Sequence, residues 1–278
     1  MKLQTEVRRR ARGPREKAQL DARALEAELR RRIRGEVRFD GGSRALYSTD
    51  GSNYRQVPIG VVVPRTTRDV VEAVAAAREF GAPITMRGGG TSLAGQCCNV
   101  ALVIDCSKYL NHILDIDYEA QRARVQPGLV LDSLRKEAEK RHLTFAPDPS
   151  THNHCTMGGM IGNNSCGVHS VMAGSTSDNV EELEIVLYDG TRLTVGATPD
   201  DELQRIIAGG GRRGEIYRRL RDLRDRYAEQ IRARFPDIPR RVSGYDLTQL
   251  LPEKGFHLAR ALVGTEGTCA MVLEATVR

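Results

Sequence analysis

The chain has 278 residues, 40% of them hydrophobic and 28% charged, enough to bury a substantial core as one large domain or two smaller ones. No apolar run approaches the ~18 residues that a membrane span needs. The first residues carry no signal-peptide stretch either, so a cytoplasmic protein is expected. The net charge of +6 is local: residues 1–40 hold 13 Lys and Arg against 7 Asp and Glu, and the other 238 residues hold 29 of each. Together with 5% aromatics and no Trp, this reads as one basic helical stretch and argues against a nucleic-acid surface.

In chain order, residues 5–34 are expected to be helical, with Leu20, Leu25, Leu29 and Ile33 at near-helical spacing and Gly41-Gly42-Ser43 ending the region. Residues 1–43 are read as an N-terminal basic extension, an accessory helix outside the main fold. Residues 44–60 are polar and irregular; Val61-Val62-Val63 is a strand stopped by Pro64. Thr66 and Asp69 form a capping-box pattern ahead of a helix with Val70, Val71, Val74, Ala77 and Phe80 on its apolar face, closed by Gly81. Strands follow at 83–86, 101–105 and 122–126, then a helix carrying Val130, Leu131, Leu134 and Ala138. Thr144 to Ser177 has little periodicity, and a loop of that length is usually functional. Asp189-Gly190 marks a hairpin between 184–188 and 191–195. Residues 214–234 form an Arg-rich amphipathic helix whose cations are read as a solvated face, with Ile216, Leu220, Leu223, Tyr227 and Ile231 on the other side. Residues 261–263 and 270–275 are expected to be strands around a tight turn, Gly264 to Gly267. The fold class is α+β.

Two glycine-rich loops carry the chemistry. In Arg87-Gly88-Gly89-Gly90-Thr91-Ser92 the glycines permit positive φ and close backbone approach, and successive N–H groups there make a concave anion site. A pyrophosphate suits this loop, as does a plain surface turn. It is neither a Walker loop nor the Gly-x-Gly-x-x-Gly of a dinucleotide-binding unit. The second, Thr156 to Gly167, follows the rigid Pro147-Asp148-Pro149-Ser150 and interleaves four glycines with amide side chains, which suits a flat polar ring or a loop packed on itself. His152, His154 and His169 lie near it, but no carboxylate or cysteine completes a zinc-like spacing, and no metal is assigned. The six cysteines show no C-x-x-C spacing and are read as free thiols in a reducing compartment.

The series 83–96, Pro147-Asp148-Pro149, Gly158-Gly159 through Gly167, Gly244-Tyr245-Asp246-Leu247 and Gly264-Thr265-Glu266-Gly267-Thr268 resembles the FAD-binding domain of the vanillyl-alcohol oxidase / p-cresol methylhydroxylase superfamily. Within it the chain is most similar to the D-lactate dehydrogenase, glycolate oxidase and 2-hydroxyglutarate dehydrogenase group. The long members with a C-terminal iron–sulfur region share a segment like Tyr47 to Tyr54. The resemblance covers about residues 44–278 and implies a two-subdomain FAD-binding fold of the p-cresol methylhydroxylase type, divided near 107/108. It implies that Arg87, Gly88, Gly89, Gly90, Thr91 and Ser92 hold the FAD pyrophosphate, with Gly95 and Gln96 nearby. Pro147, Asp148, Thr156, Met157, Gly158, Gly159, Gly162, Asn163 and Gly167 would line the rest of the flavin, and Glu266 and Gly267 would close the site. Thr91 stands where some members carry a flavin-linked histidine, which implies non-covalent FAD. Ser165-Cys166 departs from the usual glycine pair after the asparagine.

The resemblance further implies hydride transfer from a 2-hydroxy acid to flavin N5, an electron acceptor that the residues do not identify, and a substrate cap domain carrying the base. That domain is expected to be absent from this chain, so no catalytic residue is assigned here. Any iron–sulfur cluster would lie in a missing C-terminal region. Another oxidase or reductase of the superfamily and a non-catalytic flavin-binding module are the alternative readings.

Overall fold

The computed structural model describes residues 20–238, 240–242 and 244–278. The fold is built on two sheets. The first comprises β1 (Glu36–Arg38), β2 (Gly60–Val63), β3 (Ile84–Arg87) and β4 (Leu102–Asp105) in the order β1-β2-β4-β3. Strands β2, β4 and β3 run parallel, with Ile84 and Gly60 both in register with Leu102, while β1 is antiparallel to β2. Helices α1 (Ala22–Arg32), α2 (Gly41–Leu46) and α3 (Thr67–Glu79) belong to this part. Both faces of β2 and β4 are buried, which is why Gly60-Val61-Val62-Val63 and Leu102-Val103-Ile104 read as unbroken apolar runs.

The second sheet is wholly antiparallel, in the order β5-β6-β9-β7-β8. Its strands are β5 (Ile113–Asp117), β6 (Arg122–Val125), β7 (Val180–Val186), β8 (Arg192–Val195) and β9 (Met271–Val277). Helices α4 (Leu131–Ala138), α5 (Met157–Asn163), α6 (Ser170–Ala173), α7 (Asp200–Ala208), α8 (Gly211–Arg234) and α9 (Leu258–Leu262) complete it. The expected hairpin at Asp189-Gly190 is present, with Gly190 at φ +88° and Val186 opposite Arg192. One core lies on the second sheet beneath α4, α5, α7 and α8. The other gathers α1, α3, β2 and β4 together with Val186, Met271 and Leu273 of the second sheet, so the two halves share one apolar cluster.

That second core overturns the accessory reading of the N-terminal stretch over its described part. Leu25, Leu29, Ile33 and Val37 are buried against Val70, Val74, Leu102 and Ile104, and Val37 pairs with Val62. The Asp69 carboxylate, 3% exposed, accepts the N–H groups of Arg34 and Arg65, tying the chain after α1 to the start of α3. The Thr66 hydroxyl caps α3 as expected. The misleading signal was charge: Arg30 and Arg31 pair with Glu26 and Glu28 on the same helix, and Arg32 reaches Glu79 of α3. Such pairs solvate one face of a helix whose other face is core. Residues 5–19 of the expected helix lie outside the described residues.

Three other expectations change. Residues 261–263 are not a strand: they fall in and just after α9, whose Arg260 N–H is capped by the His257 ring, so Gly264 to Gly267 turns from a helix into β9. On α8 the buried positions are Gly214, Tyr217, Arg224 and Ile231, the last three seven residues apart, while Tyr227 is 39% exposed. The Arg224 guanidinium lies 5.4 Å from the centre of the Phe256 ring, so one of the arginines read as a solvated face is buried. Finally, α2, β5 and α7 form where no element was expected.

Candidate functional site

Loop Arg87–Ser92 leaves the C-terminal end of β3 and runs against the start of α5, which belongs to the second sheet's core. The fit is backbone-close. A Cβ on Gly88 would stand 2.0 Å from the Thr156 hydroxyl, and one on Gly89 would stand 2.3 Å from the His154 carbonyl oxygen. Only Gly90 of the three takes positive φ, at +65°. The first two glycines therefore serve close approach, not left-handed backbone, which corrects the sequence reading. The Arg87 guanidinium lies 5.3 Å from the centre of the Tyr47 ring. Segment 47–54 supports the loop from behind: Gly51 N–H donates to the Gly90 carbonyl at 2.9 Å, and Asp50 accepts Cys97 N–H at 3.3 Å. Gly95, at φ +80°, lies on the Tyr54 ring. These supporting residues had been noticed only as a family-like segment, with no role attached.

Among the described residues, the N–H groups of Gly88, Gly89, Gly90, Thr91 and Ser92 find no acceptor in the protein. Gly89 is exposed and the other four residues are half-buried, so these five consecutive backbone donors are open to a partner from outside the chain, solvent or ligand. An anion with several oxygens, such as a pyrophosphate, matches that donor set.

The second glycine stretch is less loop than expected. Thr156 caps α5, and Met157 is fully buried with its N–H given to Leu129. Its side chain is a core residue and lines no site, contrary to its assignment. Gly158 N–H goes to the Pro127 carbonyl, and a Cβ there would press on Pro127. Gly162 has open space where a side chain would project, and Gly159 meets nothing closer than Thr156 Oγ1 at 3.4 Å; these two positions can face a ligand. Asn163 is exposed, and its Oδ1 accepts the Ser165 hydroxyl. Asn164, not Asn163, is the buried amide: it closes α5 at φ +53° and accepts Ser177 N–H.

Pro147 is buried, and Asp148 is engaged with its own chain, accepting His169 N–H at 3.0 Å and His169 Nδ1 at 2.6 Å. Burial pushes this carboxyl up, but the His169 hydrogen bonds outweigh it and hold the pKa below the usual value. Gly167 packs directly on Asp148. His152 pairs with Asp132 at 2.8 Å, so two of the three histidines weighed as metal ligands are held by single carboxylates. At the far end of α5, Glu266 N–H donates to the Gly162 carbonyl at 2.8 Å, which puts the Gly264–Gly267 turn beside the end of the helix. Burial raises the Glu266 pKa, with the Gln96 side chain opposing it. The grooves of about 460 and 760 Å³ beside the second sheet are lined by other residues.

Loop Arg87–Ser92 thus lies between a parallel and an antiparallel sheet, with its glycine backbone pressed on the start of α5 and its N–H groups open. The chain matches the family described as FAD binding domain over residues 58–196, half its length, and it belongs to that family, with FAD as its cofactor. It is 38% identical over 258 residues to a D-2-hydroxyglutarate dehydrogenase of Pseudomonas putida, covering 90% of this chain and 25% of that protein. It is 32% identical to the glycolate oxidase subunit GlcD of Bacillus subtilis, covering 88% of this chain and 43% of that one. The chain thus spans a quarter to less than half of these relatives. Among solved structures, an alkyldihydroxyacetonephosphate synthase superposes with a TM-score of 0.63 at 18% identity over 92% of this chain and 40% of that one. A 6-hydroxy-D-nicotine oxidase from Arthrobacter nicotinovorans does so at 0.59 and 22%, over 88% and 42%. These likenesses show the fold. No helix among the described residues is long and apolar enough to cross a membrane.

Proposed function

We propose that this chain is the FAD-holding portion of a dehydrogenase that oxidises a 2-hydroxy acid of the D-2-hydroxyglutarate, D-lactate or glycolate type. The observation that carries the flavin part is the run of five unpartnered N–H groups from Gly88 to Ser92. The substrate class is supported by the names of the two relatives, a D-2-hydroxyglutarate dehydrogenase and a glycolate oxidase subunit.

In this reading the loop N–H groups bind the pyrophosphate, and Arg87 adds a positive charge at the base of the loop. Thr156, Gly159, Gly162 and Asn163 line the remaining length of the cofactor, while Gly158, Asp148, Gly167 and Pro147 act by holding that wall in place. Thr91 offers a hydroxyl donor and no nucleophilic ring, so the cofactor is held without a covalent bond. Bound FAD supplies a hydride acceptor for the carbon bearing the substrate hydroxyl. His152 and His169 each engage a carboxylate through Nδ1, and neither is assigned as the base that takes the hydroxyl proton.

The test is titration of the purified chain with FAD, followed by flavin fluorescence. Wild type saturates, and acid precipitation leaves the yellow chromophore in the supernatant. Gly90→Ala weakens binding by at least about tenfold, because a side chain at φ +65° strains the loop that presents the donors. Equal affinity in wild type and Gly90→Ala would remove the cradle from the reading, and colour in the pellet would overturn non-covalent binding.

A further inference from the structure

Arg87 is the last residue of β3 and leads directly into the loop of open N–H groups. Its Cα stands in register with that of Asp105 on the parallel strand β4, which brings a cation and a carboxylate onto neighbouring positions. The carboxylate is nevertheless engaged elsewhere. Asp105, 6% exposed, accepts the Tyr47 hydroxyl through Oδ2 at 2.6 Å and the Ser107 N–H through Oδ1 at 2.8 Å. Both of its oxygens are thus met by neutral donors. Among the described residues the Arg87 guanidinium makes one hydrogen bond, a long one of 3.5 Å to the Tyr47 carbonyl. The guanidinium of Arg38, on the neighbouring strand β1, pairs with Glu36.

Tyr47 meets both members of the Arg87–Asp105 pair. Its hydroxyl holds the carboxylate, and the centre of its ring lies 5.3 Å from the Arg87 guanidinium carbon. A guanidinium on an aromatic face keeps its charge and its in-plane donors for other acceptors. Burial and the bond to Asp105 push the Tyr47 phenol up from its ordinary pKa, so it remains a donor at neutral pH. The guanidinium also lies against Gly90, where a Cβ would stand 2.7 Å from Nη2. Gly90 is the middle residue of the five with open N–H groups. An ion pair with Asp105 would cancel the cation beside that donor run.

We infer that Tyr47 is a positioning residue that keeps Asp105 from pairing with Arg87, so that the arginine's charge is left for the phosphates of the flavin nucleotide. The inference rests on the flavin reading above. It gives the segment after α2 a role in the site although its ring touches the loop only through Arg87.

The experiment measures FAD dissociation constants by flavin fluorescence in Tyr47→Phe, Asp105→Asn, Arg87→Met and two double variants. Tyr47→Phe keeps the ring and frees the carboxylate, and it weakens FAD binding about fivefold, because Arg87 must leave a partly buried pair. Asp105→Asn stays within about twofold of wild type, since its amide oxygen carries no charge to pair with Arg87. Tyr47→Phe/Asp105→Asn returns to within about twofold of wild type. A tyrosine that merely supported the fold would not be rescued by a second change at a buried position. Arg87→Met weakens binding by at least about tenfold, and Tyr47→Phe added to it costs nothing further, as expected for residues acting through one group. Wild-type affinity in Tyr47→Phe, a loss that persists in Tyr47→Phe/Asp105→Asn, or an equal further loss in the Arg87→Met background overturns the inference and leaves the flavin reading standing. A wild-type chain that takes up no FAD overturns both.

Discussion

Arg87–Ser92 and Thr156–Gly167 are both glycine-rich, with three glycines in six residues and four in twelve, yet the structure uses them in opposite ways. In the first, the glycines bring the backbone against Thr156 and His154 while five N–H groups remain without an internal acceptor. In the second, most donors are consumed inside the fold: Met157 and Gly158 give theirs to Leu129 and Pro127, and Gly167 gives its own to the Ser170 hydroxyl. Its glycines at 158 and 167 exist because Pro127 and Asp148 occupy the space of a side chain. Glycine therefore reports close approach, and the fate of the N–H groups tells whether the neighbour is a ligand or the protein itself.

Three substitutions test that contrast, two within the second stretch and one at Asp148, on which Gly167 packs. The largest effect is expected from Met157→Ala. Removing a fully buried side chain from the core on the second sheet lowers unfolding free energy by about 3 kcal/mol in urea titrations, while FAD affinity of the folded protein holds near wild type. A small stability change with a large affinity loss would restore Met157 to the cofactor-contacting set.

Gly167→Ala comes next. Its Cβ would stand 2.1 Å from the Asp148 carbonyl oxygen and 2.3 Å from the carbonyl carbon, backbone atoms that yield little, so about 2 kcal/mol of destabilisation is expected by the same measurement. A neutral outcome would mean that this stretch is looser than the first loop, reversing the contrast.

Asp148→Asn should have the smallest effect, and it depends on pH. The folded-state pKa of Asp148 is depressed below 3.8, so the unfolded chain binds more protons as pH falls through that value. The group therefore stabilises the fold above about pH 3.8 and loses that contribution as pH drops below it through the lower folded pKa. Wild type should lose more thermal stability than Asp148→Asn between pH 5 and 3, and parallel curves would show that the His169 contact contributes nothing measurable.

Much of the fold was legible in local pattern. Thr66 ahead of a 3.6-residue apolar period gave α3, and Asp189-Gly190 gave the β7–β8 turn. The apolar runs at 61–63 and 101–105 gave two strands, which the structure pairs in parallel as β2 and β4. These are signals in which a residue's own backbone preference or its near neighbours decide the outcome. The order of motifs likewise pointed to the FAD-binding family, and the chain's match over residues 58–196 bears that out.

What the tertiary structure alone decided was which surfaces meet. Composition set the first forty residues apart as a charged stretch, but whether Leu25 and Leu29 were core depended on α3 and β4 lying beneath them. A strand-like Ala-Leu-Val became part of α9 and the step after it because His257 caps that short helix. Met157 entered the core for the same reason: burial and hydrogen-bond satisfaction are settled between segments far apart in sequence, and local pattern carries no record of the partner.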